Sequence, residues 1–378
     1  MKITDVEAIH LRQPDLNSGI ADGSQAALIV RVHTDEGIVG VGEVDSHPTV
    51  AKAVIDAEPA HKMAKGLRSI LVGEDPLGIG RLWDRMYEQS MYFGRRGVAM
   101  HAISAVDIAL WDIAGKVHGV PIHALLGGAR RERVPAYAST LMPDTPAEAA
   151  RVVAEHAGAG FRAVKLGWGP FGRDSELDIA LVAAAREAGG DDLELMIDVG
   201  KGWRSAQHAI DQVRRMEPYR PTWVEEPLPP DDLAGFARLA DAVTTPIATG
   251  EEESTRWDFA RLARDGGVDV LQPDVTRCGG ITEWLRIARD GREAGRRVVP
   301  HAWSTGIIKA ASMHVLAVVP ETEFLEYCVE DTPLNRVLVA ERFPVDADGT
   351  VAIPQEPGLG VTLDEEVLEN YRVKGPTG

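Results

Sequence analysis

The sequence predicts an α/β protein: a barrel of parallel strands alternating with helices, accompanied by a second, smaller domain. Two observations carry this. Seven times between residues 160 and 330 a short apolar run (AVKL, LELMIDV, TWVEEP, PIATGE, VDVLQPD, RRVVPH, EFLEY) meets a residue capable of chemistry: Lys165, Asp198, Glu225, Glu251, Asp274, His301 and Glu326. The spacing is roughly one βα unit of about thirty residues, and a barrel gathers the C-terminal ends of its strands into one mouth. The second observation is size, since 378 residues exceed one small core and suit a barrel plus a companion domain.

The elements before the barrel follow from pattern. Alternation in ITDVEAIHL, ALIVRVHTDEG and IVGVGEV, with Asp35-Glu36-Gly37 as a turn, predicts a three-stranded antiparallel meander. The loop PDLNSGIADGSQ is polar and rich in Gly, Asp and Ser, and is expected to be mobile. In AMHAISAVDIALWDIAGKVHG the apolar Ile103, Val106, Ala109, Leu110 and Ile113 recur at helical spacing, and Gly119 with Pro121 ends the pattern. The Gly-marked junction ALLGGARRERV places a boundary near residue 128. The expected organisation is an N-terminal α+β domain (1–127), the barrel (128–330), and a segment 331–378 that continues no barrel rhythm and returns to the N-terminal domain.

Composition excludes some partners. A formal net charge of −18 argues against nucleic acid and anionic membrane, which need a basic surface. It is compatible with a small anionic substrate, because a bound divalent cation dominates the field locally. Cys278 and Cys328 are the only cysteines, so no disulfide framework and a reducing compartment are expected. The start MKITDVEAIHLRQPDLNSG lacks a basic-then-apolar signal pattern, and no stretch is read as long enough to span a membrane. A cytoplasmic homo-oligomer is the expectation.

The chemistry is read strand by strand. Asp198, Glu225 and Glu251 each sit where a buried strand opens to the mouth. Any one alone could be a helix cap or an ion-pair partner. Three in consecutive βα units read as hard oxygen ligands for Mg²⁺ rather than Zn²⁺, which prefers His or Cys. His301 and Asp274 end neighbouring strands, so the carboxylate can bond one imidazole nitrogen and raise the basicity of the other, as a general base requires. Asp274 could instead cap the next helix. Lys165 could be a Schiff-base nucleophile, a proton-transfer group or an anion clamp. Glu326 could hydrogen-bond a substrate carboxylate if protonated or shared, or be a surface residue before Tyr327. Glu226 is placed behind the ligands or at the rim, since adjacent strand residues face opposite ways. His47, Lys201 and Trp303 are further substrate-binding candidates, and the loops Pro14–Gln25 and Asp45–Pro48 are expected to cover the mouth and set specificity.

Taken together, AISAVDIALWDIAGK, FRAVK, LMIDVGKGW, VEEP, ATGE, QPDVTRCGGITE and PHAWSTG, in this order from about residue 100 to 330, resemble the enolase superfamily in its mandelate racemase/muconate lactonizing enzyme branch. The resemblance implies an α+β capping domain, built from both termini, over a modified (β/α)₇β TIM-like barrel. It implies Mg²⁺ held by Asp198, Glu225 and Glu251, a His301–Asp274 dyad as base, and Lys165 and Glu326 at the substrate carboxylate. Two departures stand out. Lys165-Leu166-Gly167 replaces the racemase-like Lys-x-Lys, which removes the base for the second face. Gly200, followed by Lys201, stands where the family often has Asn, so substrate contacts on that side differ.

The activity this implies is a Mg²⁺-dependent dehydration of an acid sugar (an aldonate or aldarate). His301 removes the α-proton, and the β-hydroxyl is eliminated to give a 2-keto-3-deoxy acid. A sugar-lactone cycloisomerase or epimerase is the alternative within the same branch. A Schiff-base aldolase using Lys165 and a catalytically silent acid-binding barrel are the rivals of other classes.

Overall fold

The computed structural model describes residues 1–374 of the chain, so the end of the expected C-terminal segment, 375–378, lies outside the described residues. The N-terminal region opens with β1 (Ile3–Arg12), β2 (Ala26–Thr34) and β3 (Val39–Val44), an antiparallel sheet in that order. Gly37, at φ 77°, turns the chain between β2 and β3, where a side chain would be strained. Helices α1 (Pro48–Asp56), α2 (Leu67–Leu71), α3 (Ile79–Gly94), α4 (Val98–His118) and the short α5 (Ile122–Leu125) follow.

Among the described residues α4 is the one helix long and apolar enough, by length and composition alone, to cross a membrane, contrary to the reading that no stretch reaches that length. It is a core helix: its apolar positions are buried with those of the sheet and of α1–α3 in one cluster. Gly42 of β3 lets it approach that closely, for a Cβ there would lie 1.9 Å from the Ala105 carbonyl oxygen. Gly119, left-handed at φ 67°, ends the helix.

The barrel comprises β4 (Arg133–Leu141), β5 (Ala163–Gly167), β6 (Glu194–Asp198), β7 (Trp223–Glu225), β8 (Ile247–Thr249), β9 (Val270–Leu271), β10 (Arg297–Val298) and β11 (Leu325–Cys328). Pairing is parallel throughout, in the order β10-β9-β8-β7-β6-β5-β4-β11. Between these strands run α6 (Pro146–Gly158), α7 (Ser175–Gly189), α8 (Ala206–Met216), α9 (Leu233–Ala242), α10 (Thr255–Arg264), α11 (Gly280–Glu293) and α12 (Gly306–Val318), which makes a (β/α)₇β order. Tyr137, Ala163, Met196, Trp223, Ala248 and Val270 of β4–β9, with Val299 just past β10, close the barrel interior as one apolar plug below the mouth. β4 is the strand that the seven apolar runs do not include. It ends on Ser139-Thr140-Leu141, with no charge to mark it.

The C-terminal segment divides its contacts. After α13 (Pro333–Val337), β12 (Thr350–Ala352) pairs antiparallel with β4, on the barrel. Only then does α14 (Glu365–Tyr371) reach the N-terminal sheet, through Leu11 paired with Arg372 and an Arg31–Glu365 ion pair.

Candidate active site

Neighbouring strands deliver their side chains to one buried cluster. Lys165 lies within β5, Asp198 and Glu225 are the last residues of β6 and β7, and Glu251 follows β8. Ligand oxygens of Asp198, Glu225 and Glu251 all lie within 4.8 Å of one another. Lys165 Nζ sits 2.6 Å from Glu225 Oε1, 2.8 Å from Glu326 Oε1 and 3.9 Å from Asp198 Oδ2. Glu225 is oriented from its other side, Oε2 accepting from Gln272 Nε2 at 2.7 Å and from Trp223 Nε1 at 3.0 Å.

Asp274 and His301 stand in the loops just beyond β9 and β10. His301 Nδ1 is 2.5 Å from Asp274 Oδ2, while Asp274 Oδ1 accepts from the Thr276 N–H and hydroxyl, each at 2.6 Å. That leaves Nε2 turned toward the carboxylates, 3.4 Å from Glu251 Oε2 and 4.0 Å from Glu326 Oε2. The geometry is that of an imidazole whose tautomer is set by a buried carboxylate.

Glu326 is an acceptor on every side. It takes bonds from Ser139 Oγ at 2.7 Å, from the Ala302 N–H at 2.8 Å and from Lys165. Burial opposes its charge, but Lys165 and His301 outweigh that and hold the carboxyl at about 2. This arrangement favours the charged carboxylate, and a surface position is excluded by its complete burial.

Charge tests whether a cation fits. Among the described residues, buried Asp198, Glu225, Glu251, Glu326 and Asp274 have Lys165 and His301 between them, with Arg277 behind Glu251 and Lys201 acting on it from the cavity wall. Burial and the neighbouring Glu225 push the Asp198 carboxyl well above its usual range. Burial would lower His301, yet Glu251, Glu326 and Asp274 raise it to about 10. The cluster is short of positive charge, and three carboxylates with no thiolate suit a hard divalent cation such as Mg²⁺.

A cavity of about 420 Å³ opens over these groups. The loop residues Ile20–Gly23 form its roof, and Trp303 Nε1 donates to Asp22 Oδ1 at 3.2 Å. Gly167, where the racemase-like pattern has its second Lys, stands against Asp198: a Cβ there would lie 2.6 Å from the Asp198 Cβ. Trp168 and Lys201 close that side, the ammonium 4.2 Å from the ring centroid and bonded to Glu226 and Glu252 at 2.9 Å each. Of the two positions expected for Glu226, the structure shows the one behind the ligands: it is buried, with its backbone turned to φ 44°. His47 is exposed at the start of α1 and does not line the cavity, since the turn into the helix carries it away from the mouth.

Sequence reasoning missed Ser139 and Thr140 of the unmarked β4, which line the cavity. It also missed Arg277, although QPDVTRCGGITE contains it. Its guanidinium bonds the Asp45 carbonyl at 2.9 Å and carboxylate at 2.8 Å, and the Glu251 carbonyl at 3.2 Å. A lone Arg on a mouth otherwise rich in acids was the available signal.

Residues 3–127 match the mandelate racemase/muconate lactonizing enzyme N-terminal domain, and residues 145–367 the enolase C-terminal domain-like family. The chain belongs to the enolase superfamily, in its mandelate racemase/muconate lactonizing enzyme branch. Within that superfamily it is 33% identical to the D-galactarolactone cycloisomerase of Agrobacterium fabrum across 100% of both chains. It is 33% identical to the arabinonate dehydratase of Saccharolobus solfataricus, covering 94% of this chain and 93% of that one. A racemase structure from Streptomyces coelicolor, determined with bound magnesium, superposes with a TM-score of 0.86 at 31% identity, covering 98% of this chain and 100% of the other.

Proposed function

We propose that the protein is a Mg²⁺-dependent dehydratase of an acid sugar, an aldonate or aldarate, that yields a 2-keto-3-deoxy acid. The observation that carries this reading is the meeting, in one buried mouth, of an imidazole oriented by Asp274 with three carboxylates whose oxygens lie within 4.8 Å of one another. An α-proton beside a carboxylate is weakly acidic, so its removal must be coupled to stabilising the charge that builds on that carboxylate. A divalent cation held by Asp198, Glu225 and Glu251 supplies positive charge there when bound.

The chain's own groups do the rest. His301 Nε2 takes the α-proton, with Nδ1 fixed by Asp274; a cation held by Glu251 would offset the carboxylate charge that otherwise keeps the ring protonated. Lys165 keeps its charge, because Glu225 and Glu326 outweigh the effect of burial and hold it protonated well beyond the ordinary range. Its third N–H is left for a substrate oxygen, and a protonated amine between two carboxylates is a poor Schiff-base nucleophile. With Gly167 in place of a second base, proton removal is confined to the His301 face. The departing β-hydroxyl is protonated by His301 or by another acid. Lys201, held charged by Glu226 and Glu252, serves with Trp303 as a contact for the far end of the substrate.

A second reading, a sugar-lactone cycloisomerase, is favoured by the likeness to the Agrobacterium enzyme over the whole of both chains. One screen separates them: mono- and diacid sugars and their lactones with Mg²⁺, reading 2-keto acid formation and lactone consumption independently. Absence of α-proton exchange in D₂O with every acid tried would remove both.

A further inference from the structure

A second cavity, of about 580 Å³, lies outside the barrel between α12, β11 and residues 330–344, and shares no lining residue with the mouth. Lys309, only 4% exposed, forms part of its wall. Its Nζ bonds the Cys328 carbonyl at 3.1 Å and Asn335 Oδ1 at 2.7 Å, and lies 4.2 Å from the centroid of the Tyr327 ring. No carboxylate among the described residues forms an ion pair with it, in contrast to the equally buried Lys165 with its three.

A buried ammonium without a counter-ion is costly, and the neutral amine is the alternative state. The hydrogen bonding accommodates that state: a neutral amine has two N–H groups, the two acceptors take both, and the lone pair is left over, whereas an ammonium would turn its third N–H to the Tyr327 ring. Burial pushes the amine down to about 8, against weaker opposition from Cys328 and Glu43. Burial pushes the adjacent Cys328 thiol up to about 12, so the amine and not the thiol is the nucleophile here. Arg342, exposed on the same cavity, makes no side-chain hydrogen bond or ion pair among the described residues, whereas of the lining acids Asp331 is bound to Arg336, Glu330 accepts from Thr140 and Leu141, and Glu341 accepts from the Thr362 N–H. Arg342 directly precedes Phe343, whose carbonyl accepts the Tyr327 hydroxyl at 2.9 Å.

We propose that this cavity is a second small-molecule site, in which Lys309 binds a 2-keto acid as an imine and Arg342 pairs with its carboxylate. The Nζ lone pair adds to the keto carbon, and the two nitrogen hydrogens leave with the carbonyl oxygen as water. A C=N bond replaces a C=O bond, with no change of oxidation state. The class includes the product of the reaction proposed above, but the site stands without that reading.

The test uses the intact parent protein, pyruvate and cyanoborohydride at pH 8, followed by peptide mass spectrometry, and reads no turnover. At that pH an amine titrating near 8 has on the order of a hundredfold more free base than an ordinary lysine. The expected result is pyruvate-derived mass on Lys309 ahead of the exposed Lys2 and Lys62, with Lys165 unlabelled. Acetone, which lacks the carboxylate, should label Lys309 about tenfold less when each is scaled to the exposed lysines in its own sample. Lys309→Met should remove the label. Lys309 unlabelled, or labelled no faster than Lys2, overturns the site, and equal scaled labelling by acetone overturns the 2-keto acid assignment.

Discussion

At Lys165 the ammonium lies between Glu225 and Glu326, so its removal exposes two buried carboxylates at once. Lys165→Met should lower turnover on the order of a hundred- to a thousandfold, as loss of one donor to a developing charge does. It should also lower thermal stability in EDTA more than in Mg²⁺, because unpairing a buried charge costs about 3–5 kcal/mol and a cation compensates; melting curves in both buffers check this. Equal loss in both would mean that the cation does not sit beside Glu225. Asp198→Asn, Glu225→Gln and Glu251→Gln change charge and little volume, so each should abolish turnover with the circular dichroism spectrum unchanged. A Glu251→Gln protein that binds Mg²⁺ and turns over like the parent would exclude Glu251 as a ligand. His301→Asn should remove both α-proton exchange and elimination. Solvent deuterium found in both C2 epimers of substrate recovered from the parent would show a second base, despite Gly167.

Single elements explain motifs that the residues alone do not. The paired glycines of RCGGIT begin α11, where Gly280 adopts φ 82° and a Cβ would meet Asp107 Oδ2 at 2.3 Å. α11 has no cap of its own at that end, and Asp107 of α4 supplies one, accepting from the Thr282 N–H at 2.9 Å and hydroxyl at 2.6 Å. Asp112, further along α4, accepts from Val41 and Leu359, so α4 holds the sheet, the barrel and the C-terminal segment together. At the end of β5 the decisive feature is space. Gly167→Ala places a methyl against Asp198 and should destabilise the protein by about 1–3 kcal/mol. It should also weaken Mg²⁺ binding, because Asp198 is the atom group that must move. Calorimetric titration with Mg²⁺ and urea unfolding test the two effects separately, and unchanged affinity would place the ion away from Asp198.

Across the whole molecule, buried ionisable groups link stability to pH. His314 of α12 bonds the Leu359 carbonyl at 3.0 Å, and burial lowers it to about 3 from an ordinary 6.5. The unfolded chain therefore takes up this proton below about pH 6.5 while the folded chain does not. The contribution is complete above that pH and is lost as pH falls toward 3. Glu43 and Asp107, raised by burial to about 7, act in the opposite sense: their contribution is complete below the ordinary carboxylate range and is lost as pH rises through 7. Since these terms oppose, the prediction concerns a difference. Between pH 7 and pH 5, His314→Gln should lose less unfolding free energy than the parent, by about 1 kcal/mol or more, as measured by urea titration. Parallel pH dependence in the two proteins would show that His314 is not held neutral.

The periodic encounter of apolar runs with Lys165, Asp198, Glu225, Glu251, Asp274, His301 and Glu326 was enough to read a barrel with one mouth, because strand burial and the shared direction of parallel strands are local rules. Helix α4 and its end at Gly119 were legible for the same reason. β4 was not, since Ser139 and Thr140 carry no charge to announce them. Nor was the exposure of His47, which depends on how the chain turns into α1. The state of Glu326 also escaped, because its ionisation follows from Lys165 and His301, residues distant in sequence. Arg277 binding Asp45, Asp107 capping α11, and Lys309 left without a carboxylate are likewise matters of tertiary structure. Local pattern determines which residues a strand or helix presents, whereas charge, capping and accessibility depend on what another element brings within a few ångströms.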